Sequence, residues 1–223
     1  ALIQAEKRAE EAHLSGVHPI QLLFGIVVQP EVRPLLLSGA AKGADVHFGG
    51  EASRSGHQVV HWSFAGHRHS VRDSSARQLV FPVPDHQLTD ADPALRIAAR
   101  SLRKSPPTRP FVTSLLRRNW LQVRWADAVY CVTWMDLRDK TSQLRMGGGT
   151  AWAAQMYVDR FQGSGTEDPS SCRLFFFEVN SKRWLRWEMA TSQWTKIQEP
   201  PKPRGVYAGI GTQELTPEGR DAI

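Results

Sequence analysis

The chain reads as a single α/β domain, built on a mostly parallel sheet with helices on both faces. Two features of the sequence predict this. Apolar runs of strand length alternate with stretches of helical periodicity, the pattern of a sheet buried on both sides. Three of those runs also lead into glycine-bearing turns that open helices, Ser38–Gly43, Gly147–Thr150 and Gly209–Thr212. Turns of this kind belong at the carboxyl ends of parallel strands, where ligands bind in such sheets. A length of 223 residues suits one domain of this type better than two.

Taken in order, "ALIQAEKRAEEAHL" (residues 1–14) has the spacing of an amphipathic helix, with Leu2, Ala5, Ala9, Ala12 and Leu14 toward one side. "PIQLLFGIVVQ" fits either a short helix or a strand. Leu35–Leu37 is a buried strand, followed by a turn and a helix over Ala44–Ser55 that Gly56 closes. His57–Phe64 is the next strand. The segment Gly66–Asp92 is polar and punctuated by proline, a long loop holding one strand-like stretch, "QLVFPV". Helices follow over Pro93–Arg103 and Phe111–Arg124, then a strand over Ala128–Trp134. After a polar loop, the glycine turn opens an amphipathic helix running to about Phe161, and Cys172–Val179 is another buried strand. Within residues 182–204, "RWLRWEMATSQW" reads as a twisted hairpin or a surface turn with aromatic faces, and "QEPPKPRG" as a linker, because its prolines can join neither a ladder nor a helix interior. The chain closes as a strand (205–209), a glycine turn, and a helix with Thr216 as N-cap and Pro217 as its first residue.

Composition narrows the function. Hydrophobic residues at 41% and charged residues at 22% are those of a globular protein, not a disordered or fibrous one. No apolar run reaches the roughly 20 residues of a membrane span, and no signal peptide opens the chain, so a cytoplasmic protein without a membrane partner is expected. Cys131 and Cys172 lie in apolar runs and read as buried, reduced thiols. The chain starts at Ala1 and stops at "GRDAI", which reads as a piece trimmed from something longer. A net charge of +6, with basic residues clustered over Arg103–Arg124, favours an acidic partner.

The chemistry-bearing motifs are the turns. "SGAAKGAD" brings Ser38, Gly39, Lys42, Gly43 and Asp45 between a strand and a helix. Backbone amides and a lysine could surround a phosphate there, with Asp45 facing a sugar. "MGGGT" offers Gly147, Gly148, Gly149 and Thr150 at a second helix N-terminus, where free N–H groups and the dipole favour an anion. Gly209, Gly211 and Thr212 form the third turn. Arg118 and Asn119 stand one helix before the central apolar run, and Arg118 can present a guanidinium fork. The competing reading of every such turn is steric relief alone. His57, His61, His67 and His69 match no metal-ligand spacing, so no metal and no cofactor are expected. Trp184, Trp187 and Trp194 lie in a basic segment and could stack bases, pack on the sheet, or meet a partner protein or a second copy of the chain. The last two uses are favoured.

"SGAAKGAD", "RRNWLQVRWADAVYCV", "GGGT" and "YAGIGTQELTPEG" together resemble the SLOG-type Rossmann-like superfamily. That superfamily joins the DNA-processing protein A group and the lonely-guy cytokinin-activating phosphoribohydrolases. The resemblance spans roughly residues 33–180 and 204–220, closest to small phage and bacterial members. It implies a Rossmann-like fold binding a nucleotide-like ligand through Gly39, Gly43, Arg118, Gly147, Gly148, Gly149, Thr150, Gly209, Gly211 and Thr212. Two departures stand out. The phosphoribohydrolases carry a glutamate three residues after their "GT", and here that position is Ala153, which cannot serve glycosidic chemistry. Glu214 and Asp45 are the remaining candidate carboxylates, and Glu51 reads as a surface residue. The "YAGIGT" strand, usually first, comes last; the order looks circularly permuted, with Val206–Gly209 beside Leu35–Leu37, the alternative being that this strand starts a further domain. Three functions follow: a nucleotide or ribose-phosphate binder, acting as a sensor or an N-glycosidic hydrolase; a module for single-stranded nucleic acid; or an interaction platform with a degenerate pocket.

Overall fold

A computed structural model describes residues 17–71, 77–139, 142–162 and 167–223. The helix expected over residues 1–14 lies outside these. In chain order the elements are α1 (Pro19–Phe24), β1 (Leu35–Ser38), α2 (Ala44–Arg54), β2 (Gln58–Ser63), β3 (Gln78–Pro82), α3 (Asp85–Leu88), α4 (Asp92–Ser101) and α5 (Pro110–Val123). They continue with β4 (Ala128–Thr133), α6 (Gly148–Val158), β5 (Leu174–Glu178), β6 (Arg183–Glu188), β7 (Gln193–Ile197), β8 (Val206–Gly211) and α7 (Pro217–Asp221).

The strands make one sheet in the order β3-β2-β1-β8-β4-β5-β6-β7. The first six are parallel, while β6 and β7 add an antiparallel hairpin at one edge. The last strand is thus central: Val206, Tyr207 and Ala208 pair with Leu35, Leu36 and Leu37, and on the other side β8 pairs with β4. The chain builds outward from β1 to β3, then crosses through α3, α4 and α5 to β4 and builds the other way. Connections therefore reverse direction beside β8, where a crevice opens in a sheet of this type.

Alternation along the strands supplies both cores. Leu37, Trp62, Val129, Cys131, Phe176, Ala208 and Ile210 face one side, with helices including α1, α5 and α6 packed on it. Leu36, Val59, Tyr130, Val132, Phe175 and Tyr207 face the other, against Phe48 of α2. Both faces are covered, so the central strands read as unbroken apolar runs.

Several expectations are corrected. Residues 19–29 resolve into the short helix α1, ended by Gly25 in the left-handed region (φ 67°). The supposed loop Gly66–Asp92 contains α3 as well as β3, and β3 joins the sheet as a partly exposed edge strand. Helix α6 is not amphipathic. Ala151, Ala153, Ala154, Met156, Tyr157 and Val158 are all buried, because α4 and α5 cover the side turned away from the sheet. Trp184 and Trp187 are also buried, and Trp194 donates its indole N–H to the Leu144 carbonyl at 2.9 Å. Packing, one of the two uses favoured from the sequence, is thus the one observed for Trp184 and Trp187, and Trp194 is half-buried. Trp184 joins the core on one face of the sheet and Trp187 and Trp194 the core on the other, because β6 and β7 continue the sheet and are covered on both faces.

Candidate functional site

Because β1, β8 and β4 are adjacent, the three loops leaving their carboxyl ends meet at one rim of the sheet. They surround a cavity of about 470 Å³. Asp45, Arg118, Asn119, Gly147, Gly148, Gly149, Thr150, Gly211 and Thr212 line it, and Glu214 stands at its exposed edge. Each of these was expected from sequence. Ser38, Gly39, Lys42, Gly43 and Gly209 are not in the wall. The Ser38 hydroxyl is buried and donates to the Asp45 carbonyl at 3.0 Å. Gly43 backs onto the β8 loop, where a Cβ would lie 2.3 Å from the Thr212 carbonyl. Gly209 lies under α2, where a Cβ would meet the Phe48 ring at 2.4 Å. Lys42 points into a neighbouring cleft.

The turn after β1 is filled from within. Asp45 follows the first residue of α2, and its carboxylate takes Arg118 Nη1 at 3.3 Å together with the amides of Ala41 and Gly211. Arg118 and Asp45 are both buried. Burial pulls the Asp45 carboxyl above its ordinary range, against the lowering pull of the Arg118 guanidinium. Gly39 is required here: a Cβ would sit 1.1 Å from Arg118 Nη1. Asp45 therefore occupies the anion position of this turn itself, instead of facing a sugar.

The turn at α6 is open. A bridge between Met135 and Met146 brings the long loop back to the end of β4, and the Gly147 amide donates to the Trp134 carbonyl at 3.0 Å. The Glu178 carboxylate secures the departing chain by accepting from the Met135, Asn180 and Ser181 amides. Gly147 is the N-cap of α6 and brings no side chain to its amides; the first turn holds no acidic residue. By helix geometry the amides of Gly148, Gly149 and Thr150 lack intrahelical acceptors, and they lie at the cavity wall. Asn119 Nδ2 donates to the Gly149 carbonyl at 3.2 Å and ties α5 to this turn.

Sequence reasoning missed two contributors. The Trp134 indole packs on the backbone of the turn, so close that a Cβ on Gly147 would lie 2.2 Å from its ring. Thr133 ends β4 fully buried, beside the cavity, and its hydroxyl and Arg118 Nε are without hydrogen-bond partners. Both residues sit at the carboxyl end of the strand before the glycine turn, and that position was the signal available. Val112, Leu115, Leu116 and Ile210 complete an apolar wall.

Other expected features are placed elsewhere. His57 meets the Tyr207 hydroxyl at 2.7 Å, His61 meets Gln78 Oε1 at 3.1 Å and His67 meets Ser63 Oγ at 3.1 Å, each in its own surroundings. Ala153 is fully buried in the core. Glu51 lies on the outer side of α2 and pairs with Arg54. The basic run is largely engaged: Arg117 grips Asp92 at 2.6 and 2.9 Å, Lys104 meets Asp139 at 3.0 Å, and Arg118 holds Asp45. No described helix is long and apolar enough to cross a membrane. Fold and site together define an α/β protein with a ligand-sized cavity at the reversal point of its parallel sheet. Comparison with family models, with curated proteins and with solved structures gives no match to this chain.

Proposed function

We propose that the protein binds a nucleotide or nucleotide derivative in the 470 Å³ cavity, with its phosphate at the open end of α6. One observation carries the reading: an uncapped helix N-terminus, free of acidic residues in its first turn, faces a cavity at the reversal point of the sheet. The volume falls in the roughly 300–1,000 Å³ range of small-molecule sites. Its wall is divided, with amides, Thr133 and Arg118 on one part and Val112, Leu115, Leu116, Ile210 and Trp134 on another. A ligand with an anionic end and a flat, weakly polar end matches that division.

The reading is one of binding. Glycosidic cleavage requires a positioned carboxylate; Asp45 is held by Arg118, Ala153 replaces the glutamate of the resembled hydrolases, and Glu214 stands exposed at the edge. Thermal unfolding with AMP, ADP-ribose and cytokinin monophosphates tests the proposal. A ligand at a hundred times its Kd stabilises by about 2.7 kcal/mol, which shifts Tm measurably. If millimolar concentrations of all these nucleotides leave Tm unmoved, the reading fails.

A further inference from the structure

Trp134 is the most exposed of the eight tryptophans, 41% open to solvent, and it lines the cavity beside the glycine turn of α6. The backbone fixes its position. Its carbonyl accepts from the Gly147 amide at 3.0 Å, and the Met135–Met146 bridge holds the two arms of the loop together just beyond. The indole lies flat on the turn. A Cβ on Gly147 would be 2.2 Å from ring atom Cε2, and 2.4 and 2.7 Å from Nε1 and Cζ2, two of the atoms bonded to it. Approached from the edge of the ring, those two neighbours would be the nearer atoms, so the glycine stands over the face. The ring reaches as far as Gly148, where a Cβ would lie 3.9 Å from Cη2.

One face of the indole is therefore covered by glycine backbone, and the exposure belongs to the opposite face and the rim. Trp62, Trp184 and Trp187, by contrast, are buried in the cores. Shielding the turn does not call for an indole, since an aliphatic side chain would also exclude water from it. What the indole adds is a second flat π surface, in the same wall as Val112, Leu115 and Leu116. A planar ring stacked on that surface lies two contact distances, about 7 Å, from the Gly147 backbone. A ribose and its ester oxygen span this interval, so a nucleoside 5′-phosphate can lay its base on Trp134 and reach the amides of α6 with its phosphate.

We propose that Trp134 is a specificity-determining residue: its open face stacks the base of the ligand, and the site selects nucleotides over sugar phosphates that lack a base. This rests on the nucleotide reading of the cavity. Every base has a π face, so the contact separates ligands with a base from those without one and discriminates little among the bases. Gly147 is the other half of the arrangement, because any Cβ there would overlap the ring and lift it from the turn.

The test compares AMP with ribose 5-phosphate on the intact chain by calorimetry, and reads the ratio of the two affinities. AMP should bind the native protein about tenfold more tightly, the gain expected of one stacked base. AMP should also quench tryptophan fluorescence, and ribose 5-phosphate should not. Trp134→Leu keeps an apolar cover on the turn at a partly exposed position, so the fold should survive. It should bring the two affinities within about twofold, whereas Trp134→Phe, which keeps a π face, should preserve most of the native ratio. Equal affinities in the native protein, or AMP binding without quenching, overturn the stacking and leave the phosphate reading of the cavity intact. An undiminished ratio in Trp134→Leu, or a ratio as low in Trp134→Phe as in Trp134→Leu, overturns it as well, since the indole then only supports the turn. Absence of binding by either ligand removes the cavity reading and this inference together.

Discussion

The turn after β1 and the turn that opens α6 share a sequence signature and differ in what fills them. Both place glycines between a strand and a helix at the same rim of the sheet. In the first, the helix supplies its own carboxylate: Asp45 takes Arg118 and two backbone amides, and Gly39 leaves room for the guanidinium. In the second, neither a capping side chain nor an acidic residue is present, and the amides of Gly148, Gly149 and Thr150 border a cavity. A glycine turn is thus only the permission for a close approach. What approaches is decided by the first residues of the helix and by the side chains that reach it from elsewhere.

The sharpest way to break this contrast is to empty the closed turn. Asp45→Ala leaves the Arg118 guanidinium buried without its partner and should cost about 3–5 kcal/mol in urea unfolding. A loss below 1 kcal/mol would mean that the pair is not the anchor of that turn.

Next comes acid. His61 is fully buried, its Nε2 on Gln78 and its Nδ1 unpartnered, and burial lowers its pKa to about 4. The folded value lies below the ordinary value of about 6.5, so between these limits the unfolded chain binds the extra proton. The stability contribution is complete above about pH 6.5 and falls as the pH drops toward 4, by on the order of 3 kcal/mol. Burial likewise takes His67 to about 4, and this half-buried group adds to the same slope. His61→Gln should flatten the stability profile between pH 6.5 and 4; an unchanged profile would assign the acid sensitivity to other groups.

Glycine substitutions then separate the two turns directly. Gly39→Ala forces a methyl into the guanidinium and should destabilise by about 1–3 kcal/mol through overpacking. At Gly149 a Cβ would find only Asn119 Nδ2, at 3.8 Å, so Gly149→Ala should hold or raise stability by up to about 1 kcal/mol, because alanine suits a helix better. A similar loss in both variants would erase the distinction. The smallest effect tests the neighbouring arginines: Arg117→Ala, which removes a partly exposed ion pair with Asp92, should cost about 1 kcal/mol or less.

How far the sequence could be read follows the same division. The central strands were legible because burial on both faces leaves continuous apolar runs, such as Ala128–Thr133. Alternation failed for α6, since a helix covered on every side has no polar stripe to betray its orientation. The cavity residues that were found lie next to glycines or on the helix before β4. Trp134 and Thr133 were passed over because nothing in an indole and a hydroxyl at the end of a strand says whether they face a core, a neighbour or a space. Lys42 was assigned to the wrong side of its own turn for a related reason, as the side on which a loop residue projects depends on the β8 loop packed behind it.

The sequence by itself determined the α/β class, the buried central strands, the capped final helix and the three glycine turns. These follow from local periodicity, capping and backbone freedom, all of which act over a few residues. The resemblance had already set Val206–Gly209 beside Leu35–Leu37, as observed; the tertiary structure alone decided that β4 takes the other side of β8, that Asp45 satisfies Arg118, and that the end of α6 stays open. Those outcomes depend on groups 73 residues apart, in the case of Asp45 and Arg118, meeting in a space from which water is excluded. Pairing over such a separation is set by the packing of the whole sheet and leaves no short-range trace.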